Sequence, residues 1–345
     1  PYKIVNTSFI IELIDQNNNS LVQNRNIKNI PPYGLALIDI FDENSKIYKF
    51  TGEKITAKIK HNFKGFFPRF ICGNIYKNYS DISLTHSYYD NSPLNDSSSI
   101  HFNPCKEEFY DSVVSFPFDY NNFDEIELAI YPIFSKSPTT LSFEIFDLDG
   151  NILEISKTKI KISDGNDKLT YVPMSTIFEN LKKNIRRGMV RVIIDGNGKV
   201  PSRMKFGLNI SSAKNNNNLS SNVCFNASPP NKNLLKKTGT FKWCPIFSSS
   251  SQKIYLHNTS FIKKGFGDAK LQIEICREKD DEKLSWKTIL KENCTLEIMH
   301  KRSGEVSNFL NNSIGWVTIQ SSIPFITGYY ITDFNKGVVG ADHLF

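Results

Sequence analysis

Apolar and polar residues alternate with a period of two in three well-separated segments of the chain, 9–15, 141–147 and 271–276. That period is the side-chain period of a β-strand with one covered face. Each segment continues through a polar stretch into a second apolar stretch, and the connections carry Asn, Asp or Gly, which tolerate positive φ. The sequence therefore predicts three β-hairpins. The same place in each first strand holds a glutamate that we expect to face solvent: Glu12, Glu144 and Glu274.

A second pattern also occurs three times, in segments 55–75, 189–210 and 316–331. Each segment has a strand, a short polar turn, a hydrophobic–proline step and a second strand with glycine near its middle. Repetition of this kind is typical of several copies of one structural unit. We therefore predict an all-β protein built from two to three tandem antiparallel β-sandwich units. The prolines of the three steps are Pro68, Pro201 and Pro324.

The repeats also place the unit boundaries. Unit one covers residues 1–106, unit two is a divergent copy over 107–212, and unit three covers 221–345. The Asn-rich run 213–220 is the clearest predicted linker.

Helix is scarce in this pattern. One short helix is predicted over 175–184, with Ser175 as its cap. All three tryptophans, at positions 243, 286 and 316, fall in unit three, which predicts the bulkiest core there.

Composition places the chain among globular proteins. It has 345 residues, of which 39% are hydrophobic and 12% aromatic, so it is long enough for two or three domains with proper cores. The net charge is +7 and the pI about 8.9, but lysine and arginine occur as short pairs. This predicts a mildly basic solvated surface and no nucleic-acid partner. No stretch approaches 18 apolar residues, so no membrane span is predicted.

Cysteine usage and the first residue bear on the compartment. None of the six cysteines forms a Cys-x-x-Cys pair, and we expect free, buried thiols, with three disulfides as the alternative. The opening Pro1 is compatible with removal of an initiator methionine, so we expect a cytoplasmic protein.

Unit three contains the segments 254–259, 268–275 and 315–327, and the last of these includes Gln-Ser-x-x-Pro from residue 320. This succession resembles the sensory rhodopsin transducer family of microbes, whose members share a strand, Gln-Ser-x-x-Pro, strand signature. Segment 85–90 of unit one is similar to the strand that follows in that family. The resemblance implies a soluble, oligomeric all-β sandwich that binds a ligand such as carbohydrate or relays a signal through protein contacts. We expect only the fold to carry over.

Two loops concentrate residues that can do chemistry. One contains His86 and Asp90, and the other contains Asp342 and His343. Both follow proline-step strands, so they occupy similar places in their repeats. Aspartate with histidine can ligate a metal or form a general base, and a metal site would be sensible if the two loops met. The alternative is a capping segment in which these side chains hydrogen-bond locally.

Paired tyrosines on strands suggest a second kind of site. Neighbouring strand residues point to opposite faces, so one Tyr of each pair can be exposed and stack on a sugar ring. Arginines beside the proline steps, Arg69 and Arg203, can bind a carboxylate or a phosphate. The two tyrosine pairs are Tyr88–Tyr89 and Tyr329–Tyr330.

Nothing in the chain matches a transferable catalytic motif: there is no Gly-x-Ser-x-Gly, His-Glu-x-x-His, P-loop or dinucleotide fingerprint. We therefore predict no catalytic residue, no cofactor and no committed metal site. The predicted function is non-enzymatic binding of a carbohydrate-like small molecule or a protein partner by a homo-oligomer. The alternatives are a metal-dependent enzyme acting on a carbohydrate or small carbonyl substrate, and a structural subunit of a phage or surface assembly. The predicted ligand-binding residues are Arg69, His86, Tyr88, Tyr89, Asp90, Tyr329, Tyr330, Asp342 and His343.

Overall fold

The chain divides into two compact bodies. The N-terminal body comprises Pro1–Phe70 with Lys168–Tyr171, and the main body comprises Ile71–Asp167 with Val172–Phe345. The computed structural model describes residues 4–15, 17, 19–32, 34–40, 55–62, 70–75, 82–86, 100–131, 137–163, 170–181, 183–202, 204–212, 221–248, 251–280, 282–299, 302–333 and 339–345.

The N-terminal body has a three-stranded antiparallel sheet in the order β2–β1–β3. Its strands are β1 (Val5–Asp15), β2 (Ser20–Ile30) and β3 (Ile55–His61). Alternation along β1 buries Phe9, Ile11 and Leu13 on one face, as expected for a strand with period two. The first predicted hairpin is confirmed as the β1–β2 pair.

The strands after residue 70 form two successive groups. The first group is β4 (Ile71–Ile75), β5 (Ile82–His86), β6 (Ile100–Phe102), β7 (Ser112–Asp119), β8 (Phe123–Ile130), β9 (Thr139–Phe146), β10 (Ile152–Ile155), β11 (Ile160–Ile162), β12 (Thr170–Pro173), β13 (Arg187–Asp195), β14 (Lys199–Pro201), β15 (Lys205–Ser212) and β16 (Ser221–Asn226). The second group is β17 (Thr240–Phe247), β18 (Ser251–His257), β19 (Ala269–Arg277), β20 (Lys283–Leu290), β21 (Thr295–Glu297), β22 (Ile314–Ser321), β23 (Thr327–Asp333) and β24 (Val339–His343).

Two β-sandwiches are built from these strands. The first sandwich packs the sheet β10–β9–β13–β7, with β11 also on β9, against the sheet β12–β8–β15–β16. The second sandwich packs β20–β19–β22–β17 against β21–β18–β23–β24. The strand pairs β4–β5 and β6–β14 form two further small sheets. The predicted all-β class with tandem antiparallel sandwiches is thus confirmed.

The two sandwiches have the same strand order. Eight strands of the first sandwich correspond, in chain order, to eight strands of the second. The first set is β7, β8, β9, β10, β12, β13, β15 and β16, and the second set is β17, β18, β19, β20, β21, β22, β23 and β24. A helix follows the fifth of these strands in both. The order β2–β1–β3 in the N-terminal body repeats the order β10–β9–β13. A common fold unit therefore underlies the repeated sequence pattern.

Local details repeat along with the topology. The hairpin turn after β1 is closed by Asn19, which donates from its side chain to Asp15 at 2.9 Å, and Asn151 donates to Asp147 in the same way at 2.8 Å. The equivalent glutamates of β1, β9 and β19 are partly exposed, and each forms an ion pair with a neighbouring strand. These pairs are Glu12–Lys58 (3.2 Å), Glu144–Arg191 (2.6 Å) and Glu274–Lys283 (3.6 Å).

The glycine of the repeated second strand has a steric reason. A Cβ atom on Gly328 would come within 3.0 Å of the side chains of Leu256 and Leu344, which are both buried. A Cβ atom on Gly207 would similarly meet Asn222 and Tyr131. Glycine here permits close packing across the sheet rather than an unusual backbone angle.

Helices differ from the sequence prediction. In place of a helix over 175–184 there is one turn, α1 (Met174–Ile177), preceded by Pro173 and without a side-chain cap. A longer helix that the sequence pattern did not indicate, α2 (Ser303–Leu310), ends at Asn311, whose φ of 45° is left-handed. Val306 and Leu310 bury one side of α2 in the second sandwich core, so tertiary packing selects this helix.

The division into three units stays a prediction, but its boundary at residue 212 shifts. Strand β16 pairs with β15, and the paired residues run from Lys205 opposite Asn226 to Ile210 opposite Ser221. Strand β16 therefore completes the first sandwich rather than beginning unit three. The predicted linker 213–220 lies outside the described residues and connects these two paired strands.

All six cysteines are free thiols, and four of them are buried. Cys72 is exposed, which departs from the predicted burial of that strand position. Among the described residues, no helix is long and apolar enough to span a bilayer.

Candidate functional site

One sheet of the second sandwich, β21–β18–β23–β24, is covered on both faces. Leu256 of β18 packs in the second sandwich core, while its neighbour Tyr255 packs in the first. Tyr329 of β23 lies opposite Tyr255, and its ring centroid is 5.9 Å from that of Phe225 in the first sandwich. The second sandwich therefore closes the side of the first where the edge strands β7 and β16 lie.

A buried carboxylate joins the two sandwiches at this contact. Asp119, at the end of β7, is 1% exposed. Its Oδ2 accepts hydrogen bonds from Lys253 Nζ at 2.8 Å and from the Tyr255 hydroxyl at 3.1 Å, and Arg187 Nε lies 3.8 Å away. Burial, and then the charge of Asp119, raise the pKa of Tyr255 above its usual range, so the phenol stays a donor.

Tyr329 belongs to this contact and not to a ligand surface. It is 3% exposed, and its hydroxyl donates to the carbonyl oxygen of Ser115 at 2.7 Å. The Ser115 hydroxyl shares further hydrogen bonds with Thr259 at 2.7 Å and Thr327 at 3.0 Å. Tyr330, its neighbour, is partly buried against the second sandwich core. The expectation that one Tyr of this pair is exposed is wrong, because both faces of β23 are covered.

The other sheet of the second sandwich leaves its outer face open. Cys244 and Val317 point into the core, so their strand neighbours point outward. Trp243 and Phe241 on β17 are 42% and 53% exposed. With Trp316 on β22, they form a surface that we call the aromatic face.

Polar side chains continue the aromatic face across the sheet. Phe241 lies opposite Gln320 in the strand register, and Gln320 lies opposite Gln272. Trp243 lies opposite Thr318 in the same way. The aromatic rings of the edge strand β17 therefore lie beside amide and hydroxyl groups on β22, and β19 adds a further amide next to them.

The C-terminal residue secures the edge strand of this face. The backbone of Phe345 exchanges two hydrogen bonds with Trp243, at 3.0 and 3.1 Å. Their ring centroids lie 5.2 Å apart, and the ring of His343 lies 5.1 Å from that of Phe345. The aromatic face thus adjoins the second feature of this region.

That second feature is a cluster of His86 on β5 with Asp342 and His343 on β24, which we call the His–Asp cluster. One ligand atom from each of the three residues lies within 4.8 Å of the others. The two imidazole centroids are 5.7 Å apart and the rings are nearly perpendicular, at 89°. His343 Nε2 lies 3.9 Å from Asp342 Oδ1. The structure therefore brings together three of the four residues whose meeting would make a metal site.

Local packing determines the protonation of His343 and the position of the Asp342 carboxylate. Burial lowers the pKa of His343, and the nearby His86 and Lys242 lower it too, against the opposing effect of Asp342. His343 is therefore neutral at neutral pH. Asp342 Oδ1 accepts the backbone N–H of His343 at 2.8 Å, which holds the carboxylate beside the ring.

Four other predicted binding residues, Arg69, Tyr88, Tyr89 and Asp90, lie outside the described residues, as does Arg203. Sequence reasoning missed the aromatic face, because it placed all three tryptophans in a core. The signal that could have found it is the alternation over 240–247, where Phe241 and Trp243 share the face opposite to Cys244 and Ile246.

No family model and no curated protein matches the chain. Among solved structures, the chain has a weak likeness to a tetra-tandem repeat in the extending region of a large adhesion protein. The identity is 7%, 99% of this chain and 69% of that chain are covered, and the TM-score is 0.13. A likeness at that level carries no argument. The resemblance to the sensory rhodopsin transducer family stays a prediction.

Proposed function

We propose that this chain is a non-enzymatic binding protein whose aromatic face takes a carbohydrate chain. The observation that carries the proposal is the exposure of Trp243 and Phe241 on an open sheet face, beside the amide-bearing strands of Gln320 and Gln272. Neighbouring exposed aromatic side chains on one face of a sheet are a common feature of binding surfaces.

The chemistry of the face suits a sugar. Aromatic rings contact the C–H groups of a pyranose, while uncharged amides and hydroxyls donate to and accept from its hydroxyl groups. Gln272, Gln320 and Thr318 supply such groups on the two strands next to the rings. Groups spread in this way over three neighbouring strands favour an extended polysaccharide over a small compact ligand.

The frame behind the face supports the same use. The opposite sheet of the sandwich is anchored on the first sandwich through Asp119 and Ser115. The edge strand that carries Trp243 is held by its backbone bonds to Phe345. A rigid platform loses little conformational entropy on binding.

The test is isothermal titration calorimetry and a glycan array with the wild-type chain, Trp243→Ala and Phe241→Ala. We expect at least one neutral polysaccharide to bind the wild type and to bind each variant about tenfold more weakly. Phe102→Ala is the matched control, because Phe102 is 57% exposed on β6, a strand that pairs with β14 and belongs to a different sheet from the aromatic face.

Two results would contradict the proposal. One is the absence of any glycan hit. The other is a wild-type oligomer that Trp243→Ala converts to a monomer in light scattering, which would make the face a contact between copies of the chain.

A further inference from the structure

The His–Asp cluster offers a set of donor atoms that the proposed sugar surface does not use. Two imidazoles and one carboxylate converge from β5 and β24, which come from distant parts of the sequence. We propose that His86, Asp342 and His343 bind one divalent transition-metal ion of the Zn²⁺ class.

The donor set selects the class of ion. Imidazole nitrogen with carboxylate oxygen is a usual ligand combination for Zn²⁺ and its transition-metal neighbours, whereas Ca²⁺ and Mg²⁺ prefer oxygen ligands alone. Three protein ligands leave a coordination position for water or for a ligand group.

The spacing is compatible with a common centre. Ligand atoms around an ion with bonds of about 2.0–2.2 Å lie about 3.3–3.6 Å apart. The atoms of the cluster all lie within 4.8 Å of one another, and the His343 Nε2 to Asp342 Oδ1 distance is 3.9 Å. Small side-chain rotations therefore bring the three atoms to bonding distance.

A neighbouring carbonyl orients one of the rings. His343 Nδ1 lies 3.1 Å from the carbonyl oxygen of Leu344. With the proton on Nδ1, this nitrogen donates to the carbonyl and Nε2 presents its lone pair, which is the arrangement that most metal-bound histidines have. The backbone of Leu344 is itself held, because its N–H donates to Gly328 O at 2.8 Å.

One charge in the surroundings opposes a cation. Lys242 Nζ donates to the same Leu344 carbonyl at 3.4 Å. The carboxylate of Asp342 offsets this charge, and a shorter neutral side chain at position 242 would remove the opposition. Lys242→Gln is therefore expected to bind the metal more tightly than the wild type does.

The experiment starts from the full chain, stripped with EDTA and dialysed, and titrates it with ZnCl₂ by calorimetry and with CoCl₂ by visible absorption. We expect one ion per chain and Co²⁺ d–d bands of a low-coordinate site. His86→Ala, His343→Ala and Asp342→Asn should each weaken Zn²⁺ binding by at least about tenfold.

His61→Ala is the matched control, because His61 is an exposed histidine of the N-terminal body, and it should keep the stoichiometry. Circular dichroism checks the fold of each variant, and Asp342→Asn, which keeps the side-chain size, serves if a histidine variant does not fold. Zn²⁺ binding that is absent from the wild type, unchanged in all three cluster variants, or equally weakened by His61→Ala would overturn the proposal. Metal binding is measured without sugar, so its failure is distinct from a failure of the proposed carbohydrate binding.

Discussion

The hydroxyl of Tyr255 donates to Oδ2 of Asp119 across the boundary between the two sandwiches, at 3.1 Å. The same oxygen accepts from Lys253, so one buried carboxylate balances a cation and satisfies a phenol. Two folded repeats are thereby joined by specific polar bonds as well as by apolar packing.

Replacing Asp119 by alanine should destabilise the main body by about 3–5 kcal/mol, because it leaves Lys253 without its buried counter-charge and the Tyr255 hydroxyl without its acceptor, whereas Arg187 keeps its ion pair with Glu297. Urea unfolding measures the change in the free energy of unfolding. Asp280→Ala removes a carboxylate from an exposed ion pair with Arg277 and should have a much smaller effect. Equal effects of the two substitutions would show that Asp119 does not hold the sandwiches together.

Acidification should destabilise the chain through His257. This side chain is fully buried, and burial lowers its pKa to about 3, while in the unfolded chain its pKa is near 6.5. Between these values the unfolded chain binds a proton that the folded chain does not, so stability is complete above about pH 6.5 and falls as the pH decreases toward 3.

The slope from this one group is at most about 1.4 kcal/mol per pH unit. Urea unfolding at a series of pH values should show a smaller slope in His257→Gln than in the wild type. If His257→Gln keeps the full wild-type slope, another group causes the pH dependence.

Alanine at position 328 should cost about 1–3 kcal/mol, since its Cβ would overlap the buried side chains of Leu256 and Leu344. Alanine at position 304 should instead stabilise the chain by about 0.5–1 kcal/mol, because Gly304 lies in α2 and a Cβ there meets no atom within 4 Å. Thermal unfolding of both variants shows whether each substitution lowers or raises the stability of the chain. A neutral Gly328→Ala would mean that close packing is not the reason for glycine in this repeat.

Local pattern was enough to predict the parts of the fold that depend on local physics. The hairpins at β1, β9 and β19 follow from alternation and from turn residues such as Asp147 and Asn151, which bond to each other within five residues. The repeated glycine was likewise visible in the sequence. Its cause, the proximity of Leu344 to Gly328, was not, because it requires the paired sheet.

Other features of the fold depend on which elements, distant in sequence, pack against each other. Strand β18 is buried on both faces, so burial does not alternate along it. The sequence around Tyr255 therefore does not indicate that this side chain bonds to Asp119. Trp243 is a large apolar residue of the kind that usually packs in a core, but it lies on the open face of its sheet. The sequence could offer the meeting of His86 with His343 only as one alternative, since 256 residues of chain lie between them. Long-range packing decides all three cases.

The doubly covered sheet has a practical consequence for anyone dissecting this protein. Excising the second sandwich as a separate fragment would strip the cover from Tyr255, Tyr329 and Ile331, and excising the first would leave the buried Asp119 without Lys253 and the Tyr255 hydroxyl. Such fragments would tend to aggregate, so the pair of sandwiches, rather than the individual repeat, is the smallest piece to express.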